Sequence, residues 1–222
     1  METIKKNDFV ELIFTGKTKD GNIFDTNVPS EAKKIDLKIE EKPFVICVGQ
    51  KMVVEGLDDS LEGKEVAKEY QIELPPKKAF GEREREKVRL IPLNIFTEKN
   101  IMPKQGMVLH LDYQLVRIAS VSGGRVLVDF NNPLAGKEII YEFTIVKKIN
   151  EDKEKIDSII NYFLRKKLDY TLEGKKAIFE VDKSLEPLIN MLNDKFKEIM
   201  GVEMIIKSKV KDKMGDENNS SQ

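Results

Sequence analysis

The chain has no tryptophan, one cysteine and one histidine among 222 residues, and each scarcity removes a class of chemistry. Cys47 has no second cysteine with which to close an internal disulfide, and its place in an apolar run reads as a buried thiol rather than a reactive one. His110, alone, cannot build the His and Cys cluster of a zinc site, so no metal is expected. No stretch approaches the ~20 apolar residues of a membrane-spanning helix. The opening METIKKNDFVEL lacks the apolar run of a secretory leader, so a cytoplasmic protein is the expectation. Charge of one sign is missing too: 38 basic residues face 39 acidic ones, leaving no general field to draw nucleic acid or an anionic membrane.

What is present is most informative from Lys42 to Lys64, KPFVICVGQKMVVEGLDDSLEGK. Phe44, Ile46 and Val48 alternate as one face of a strand does, and Gly49 breaks the run. Val53, Leu57 and Leu61 then recur at helical spacing, with acids on the other side and Gly63 where a left-handed helix stop belongs. A helix of about ten residues cannot stand alone, so it must lie on a sheet that buries those three side chains. Phe44, the Val53-Val54 pair and Leu57 thereby converge on one apolar hollow.

Ahead of this stretch, residues 8–14 and 17–25 read as strands joined at Asp20-Gly21. Residues 28–42 read as a polar loop or a weak strand carrying Ile35, Leu37 and Ile39. Behind it, Ala67 to Leu74 alternates as a strand ended by Pro75-Pro76, and GEREREK (81–87) is a solvated connector. Val88 to Phe96 is apolar but broken by Pro92. Alternation at Met107, Leu109, Leu111, Leu115 and Ile118, then a Gly123-Gly124 turn into Arg125 to Phe130, makes the following region strand-rich. Ile139 to Ile149 is a long closing strand.

Beyond a charged patch (150–155), Ile156, Ile159, Ile160, Phe163 and Leu164 have helical spacing. Leu168 to Leu172 and Lys176 to Val181 form a hairpin about Glu173-Gly174. Ser184 is placed to cap a helix with apolar side Leu188, Ile189, Leu192, Phe196 and Ile199, which Gly201 stops; Val202 to Lys207 is a last strand. This α-β-β-α-β unit of about 60 residues buries a marginal core, so a homodimer through it is expected. RNA binding is not, because no glycine-rich loop or aromatic platform is visible. Residues 211–222 read as disordered.

Several blocks, in order, resemble FKBP-type peptidyl-prolyl cis-trans isomerases. They are Phe14-Thr15-Gly16 with Asp20-Gly21 and Phe24-Asp25; the Lys-Pro-Phe, Val-Val-Glu-Gly-Leu and Leu-Glu-Gly sequences within 42–63; Ala79-Phe80-Gly81; and Asn131-Asn132-Pro133-Leu134-Ala135-Gly136-Lys137 with Tyr141 and Phe143 beyond. Leu57 stands where small members carry Trp and SlyD-like members carry Leu. The residues between Phe80 and Asn131 resemble the insert-in-flap domain of the SlyD type. The resemblance implies an antiparallel half-barrel wrapped on a short helix (1–85 with 129–152) and a small all-β flap domain inserted at 86–128; with the C-terminal α-β-β-α-β domain read from the residues at 153–210, the chain is of the α+β class.

The resemblance also implies a proline slot lined by Phe14, Phe24, Phe44, Val53, Leu57, Phe80 and Tyr141. Val54 would give its backbone N–H to a carbonyl beside the proline, and Asp25 would orient polar groups at the rim. No cofactor is called for. Rotating an Xaa-Pro bond needs no nucleophile, only a barrier below the ~18–20 kcal/mol of the free amide. The twisted amide has less charge separation than either planar state, so an apolar, water-excluding slot favours it. Ile91, Leu93, Ile95 and Phe96 of the insert are either its own core or an exposed groove for unfolded clients. Phe14 and Phe80 stand where Tyr is usual and Tyr141 where Phe is usual, which points to lowered activity or, as the alternative, a holdase chaperone on an isomerase scaffold.

Overall fold

The computed structural model describes residues 2–39, 42–111 and 113–208, in two compact units, Met1–Lys148 and Ile149–Gln222. The chain runs β1 (Phe9–Thr18), β2 (Ile23–Thr26), α1 (Pro29–Lys34), β3 (Val45–Cys47), α2 (Glu55–Leu61), β4 (Glu69–Leu74), β5 (Val88–Pro92), α3 (Leu93–Thr97), β6 (Val108–Leu111), β7 (Gln114–Ser122), β8 (Arg125–Asp129) and β9 (Ile139–Ile149). β1 is the spine of the first sheet. One of its edges carries β3, with Val10 opposite Ile46, and then β2, with Gly16 opposite Asp25. Its other edge carries β9, with β4 beyond. Ion pairs Lys17–Glu142 and Lys147–Glu11 run in opposite senses along the two strands, which makes β1 and β9 antiparallel.

α2 lies on this sheet, as its apolar spacing requires, with Leu57 and Leu61 fully buried. Each contributes about 1.5–3 kcal/mol of burial, which a helix this short needs. Gly56 allows the close approach: a Cβ there would stand 2.5 Å from Leu74 Cδ2 and 2.8 Å from the Lys78 carbonyl. The helix begins only at Glu55, so Val53 precedes it. Gly63, at φ +77, follows its last turn as expected.

Three local expectations differ from the structure. Residues 28–42 contain the one-turn helix α1, opened by Pro29 and burying only Ala32; a single buried residue leaves no periodicity to read. Ala67 has φ +59, outside the extended region, and β4 starts at Glu69. In the insert the inward residues of β7 are Val116 and Ile118, while Leu115 and Met107 face solvent. An irregularity between Ile118 and Ser120 shifts the alternation there.

The insert is a four-stranded sheet, order β5-β8-β7-β6. α3 covers one face through Phe96, which packs with Val116, Ile118, Val126 and Val128. The second unit comprises α4 (Asp152–Leu164), β10 (Tyr170–Glu173), β11 (Lys176–Val181), α5 (Glu186–Met200) and β12 (Glu203–Ser208). β10 pairs antiparallel with β11, and β12 pairs parallel with β11, as the crossover through α5 permits. Ile156, Ile159, Ile160, Phe179, Ile189, Leu192 and Phe196 form its core, whereas Phe163 and Leu188 are exposed. Ser184 does not cap α5; it lies in a 3₁₀ turn, Lys183–Leu185. From Ser184, Pro187 would fall at the third helical position and has no N–H to donate to the hydroxyl. Residues 211–222 lie outside the described residues.

Candidate active site

Five aromatic side chains from five parts of the first unit meet in one chain of ring contacts. Phe14 of β1 lies 5.5 Å from Phe44 and 6.1 Å from Tyr141 of β9, centroid to centroid. Phe24 of β2 meets Tyr141 edge-on at 5.9 Å and Phe80 edge-on at 5.4 Å. Gly16 makes this possible, because a Cβ there would fall 2.7 Å from Phe24 and 2.9 Å from Tyr141. Phe14, Tyr141 and Leu57 are buried, while Phe24, Phe44, Phe80, Val53 and Val54 are half-buried. Buried and half-buried apolar groups thus form one aromatic cluster whose edges are partly open to solvent.

Asp25 stands at solvent beside Phe24. Burial by its apolar neighbours raises its carboxyl above the ordinary range, against a backbone hydrogen bond from Thr26 that lowers it. The Tyr141 hydroxyl is pushed up by burial first and by the Asp25 charge second. Among the described residues Val54 N–H has no acceptor in the chain, as befits the residue just ahead of a helix.

Polar side chains hold these walls. Asn27 accepts Phe14 N–H at 2.8 Å through Oδ1 and donates to the Leu12 carbonyl at 2.7 Å. Thr26 Oγ1 donates to the Phe14 carbonyl at 3.0 Å. Buried Asp58 accepts Gly49 N–H at 2.8 Å and Lys51 N–H at 2.7 Å, fixing the turn that leads from β3 to α2. Lys78 pairs with Glu55 and Asp59 of α2, and those hydrogen bonds raise its pKa. Sequence reading misses Asn27 and Asp58; polar residues with no period carry no signal, and the Asp58 acid looks like part of a solvated helix face.

Of the four insert residues, Ile91, Ile95 and Phe96 line one hollow, and Leu93 is not part of it. Phe96 is buried in the insert's own core, and Ile91 and Leu93 pack on that core. Only Ile95 is exposed, at 44%. The hollow is shallow, about 200 Å³, and is lined also by Lys99, Ile101, Leu111 and Phe130. The opposite sheet face carries exposed apolar residues: Leu90 on one edge strand and Val108 on the other are more than half exposed, with exposed Leu115 near Val108. Strand alternation puts these three on the side away from Phe96. Among the described residues no group of three or more His, Cys, Asp or Glu could hold a metal ion, and His110 is exposed on β6.

Residues 89–134 match the family model described as FKBP26, IF domain. The chain is 32% identical to the short-type peptidyl-prolyl cis-trans isomerase of Methanocaldococcus jannaschii, over 64% of this chain and 90% of that one. It is 27% identical to the FKBP-type peptidyl-prolyl cis-trans isomerase SlyD of Pasteurella multocida, over 64% of this chain and 68% of the relative. A crystal structure of the three FKBP domains of wheat FKBP73 aligns at TM-score 0.38 and 17% identity, covering 68% of this chain and 42% of the wheat chain. On the strength of the archaeal relative above all, this chain belongs to the FKBP-type peptidyl-prolyl cis-trans isomerases, of the SlyD-like kind that carries an insert-in-flap domain.

Proposed function

We propose that the isomerase turns Xaa-Pro bonds in the aromatic slot and that the insert holds unfolded client chain beside it. The proline ring fits the surface made by Phe14, Phe44, Leu57, Phe80 and Tyr141, with Val53 and Phe24 at its margins. Val54 N–H bonds the adjoining carbonyl, and Asp25 orients peptide dipoles at the rim. Catalysis is the loss of water around an amide whose charge separation falls as it twists, and each ~1.4 kcal/mol of preferential stabilisation gives tenfold in rate. The observation that carries this reading is the run of five touching rings, in the unit that also buries Leu57.

Support for the client-holding role is the sheet face bearing exposed Leu90, Val108 and Leu115, together with two edge strands, β5 and β6, able to pair with extended peptide. The second unit serves as a homodimer contact; exposed Met191, Leu188, Leu172 and Phe163 support that role, and light scattering of the eluted protein measures it.

The deciding experiment compares a short Xaa-Pro tetrapeptide with refolding of a proline-limited protein. Acceleration of both, larger for the protein, is expected. Suppressed aggregation with no acceleration of either would instead make the molecule a holdase.

A further inference from the structure

The two backbone segments that join the insert to the barrel, 81–87 outgoing and 129–136 returning, are stapled to each other. Phe130 N–H donates to the Lys87 carbonyl at 2.9 Å, and Gly136 N–H to the Gly81 carbonyl at 2.8 Å. Between these rungs stands Asn131, 7% exposed. Its Oδ1 accepts Glu84 N–H at 2.9 Å and its Nδ2 donates to the Glu84 carbonyl at 2.9 Å, a two-bond pairing like that of one strand with another. Nδ2 also donates to Asp129 Oδ1 at 2.8 Å, and that oxygen takes the Asn131 backbone N–H at 3.0 Å. Asp129 Oδ2 is taken by Arg83 at 2.6 Å. Burial opposes ionisation of Asp129, but these donors outweigh it and hold the carboxyl below its usual range.

A carboxamide with both hydrogens and its oxygen committed in a buried site cannot turn without breaking several bonds at once. Aspartate lacks the donors and leucine lacks both functions, so the clamp requires an amide. It joins one residue of each connecting segment in the stretch between the two backbone rungs.

We infer that Asn131 is a positioning residue that fixes the insert relative to the proline slot, so that client held on the insert reaches the slot at high local concentration. This rests on the two-site reading above. Holding chain at one site raises the rate at another only while their separation is controlled; a swivelling insert dilutes that advantage. A tetrapeptide, too small to use both sites, is indifferent to the clamp.

The test uses the full chain with Asn131→Asp, which keeps the shape but turns both donated bonds into oxygen–oxygen contacts, and with Arg83→Ala, which removes only the exposed ion pair. Tetrapeptide and protein-substrate rates are measured together with ¹⁵N relaxation of insert and barrel amides. For Asn131→Asp we expect a tetrapeptide rate within about twofold, a protein-substrate rate about tenfold lower, and insert amides that tumble faster than barrel amides. Arg83→Ala should move the same readouts less. An unchanged ratio of the two rates in both variants, or an insert that still tumbles with the barrel, overturns the inference. So does parallel loss of both rates with the melting temperature, which would make Asn131 a stability residue. If the wild type itself shows no preference for the protein substrate, the two-site reading fails, and the relaxation data alone decide the clamp.

Discussion

At the scale of single residues, Asp25 and Phe80 carry opposite lessons. Because burial raises the folded-state pKa of Asp25, its contribution favours the fold below the unfolded value of 3.8 and is lost as pH climbs through the raised one. Asp25→Asn should therefore melt no lower than wild type at neutral pH, and any gain should vanish on acidification below 3.8. The same variant should turn over the tetrapeptide more slowly, which is what the proposed role of Asp25 in orienting peptide dipoles requires. Melting curves across pH beside peptide kinetics check both halves. Phe80 is half-buried at the rim, so a hydroxyl added there can reach a substrate carbonyl. Phe80→Tyr should raise peptide kcat/KM by about two- to tenfold, the worth of one hydrogen bond. That Phe14, Phe24, Phe44, Phe80 and Tyr141 come together was legible because their spelling matches a family block by block. Tyr141 was legible as a wall but not as a neighbour of the Asp25 charge, which only the β1 register brings together.

Elements tell a different story, because what secures them is mostly polar and without period. α2 could be read from Val53, Leu57 and Leu61, but its entry turn is set by Asp58 holding Gly49 and Lys51. Asp58→Asn supplies one acceptor oxygen for two N–H groups and turns an amide NH₂ on the other. It should lower unfolding free energy in urea by about 2 kcal/mol and reduce peptide turnover, since Val53 and Val54 follow that turn. Phe96 was left open between core and groove for a related reason: the apolar residues around Pro92 look alike in sequence, and only the packing of α3 separates the buried ring from exposed Ile95. The exposed apolar side of the insert sheet escaped notice because Leu90, Val108 and Leu115 each stand on a different strand, so no one run of sequence shows them as a face.

For the molecule as a whole, replacing residues 86–128 by a short turn should leave tetrapeptide isomerisation within about twofold while abolishing the advantage on protein substrates. Parallel kinetics on the two substrates check this, and loss of both would mean that the insert supports the barrel itself. The order of elements has a further consequence. β9 lies between β1 and β4, so the barrel's central pairing needs residues on both sides of the insert. During synthesis on a ribosome the insert's four strands are all made before β9 emerges, and they can pair locally while the barrel is still an open sheet. A chain that helps others past slow steps would then reach its own working form late, with the insert assembled first and the aromatic cluster completed only when Tyr141 arrives.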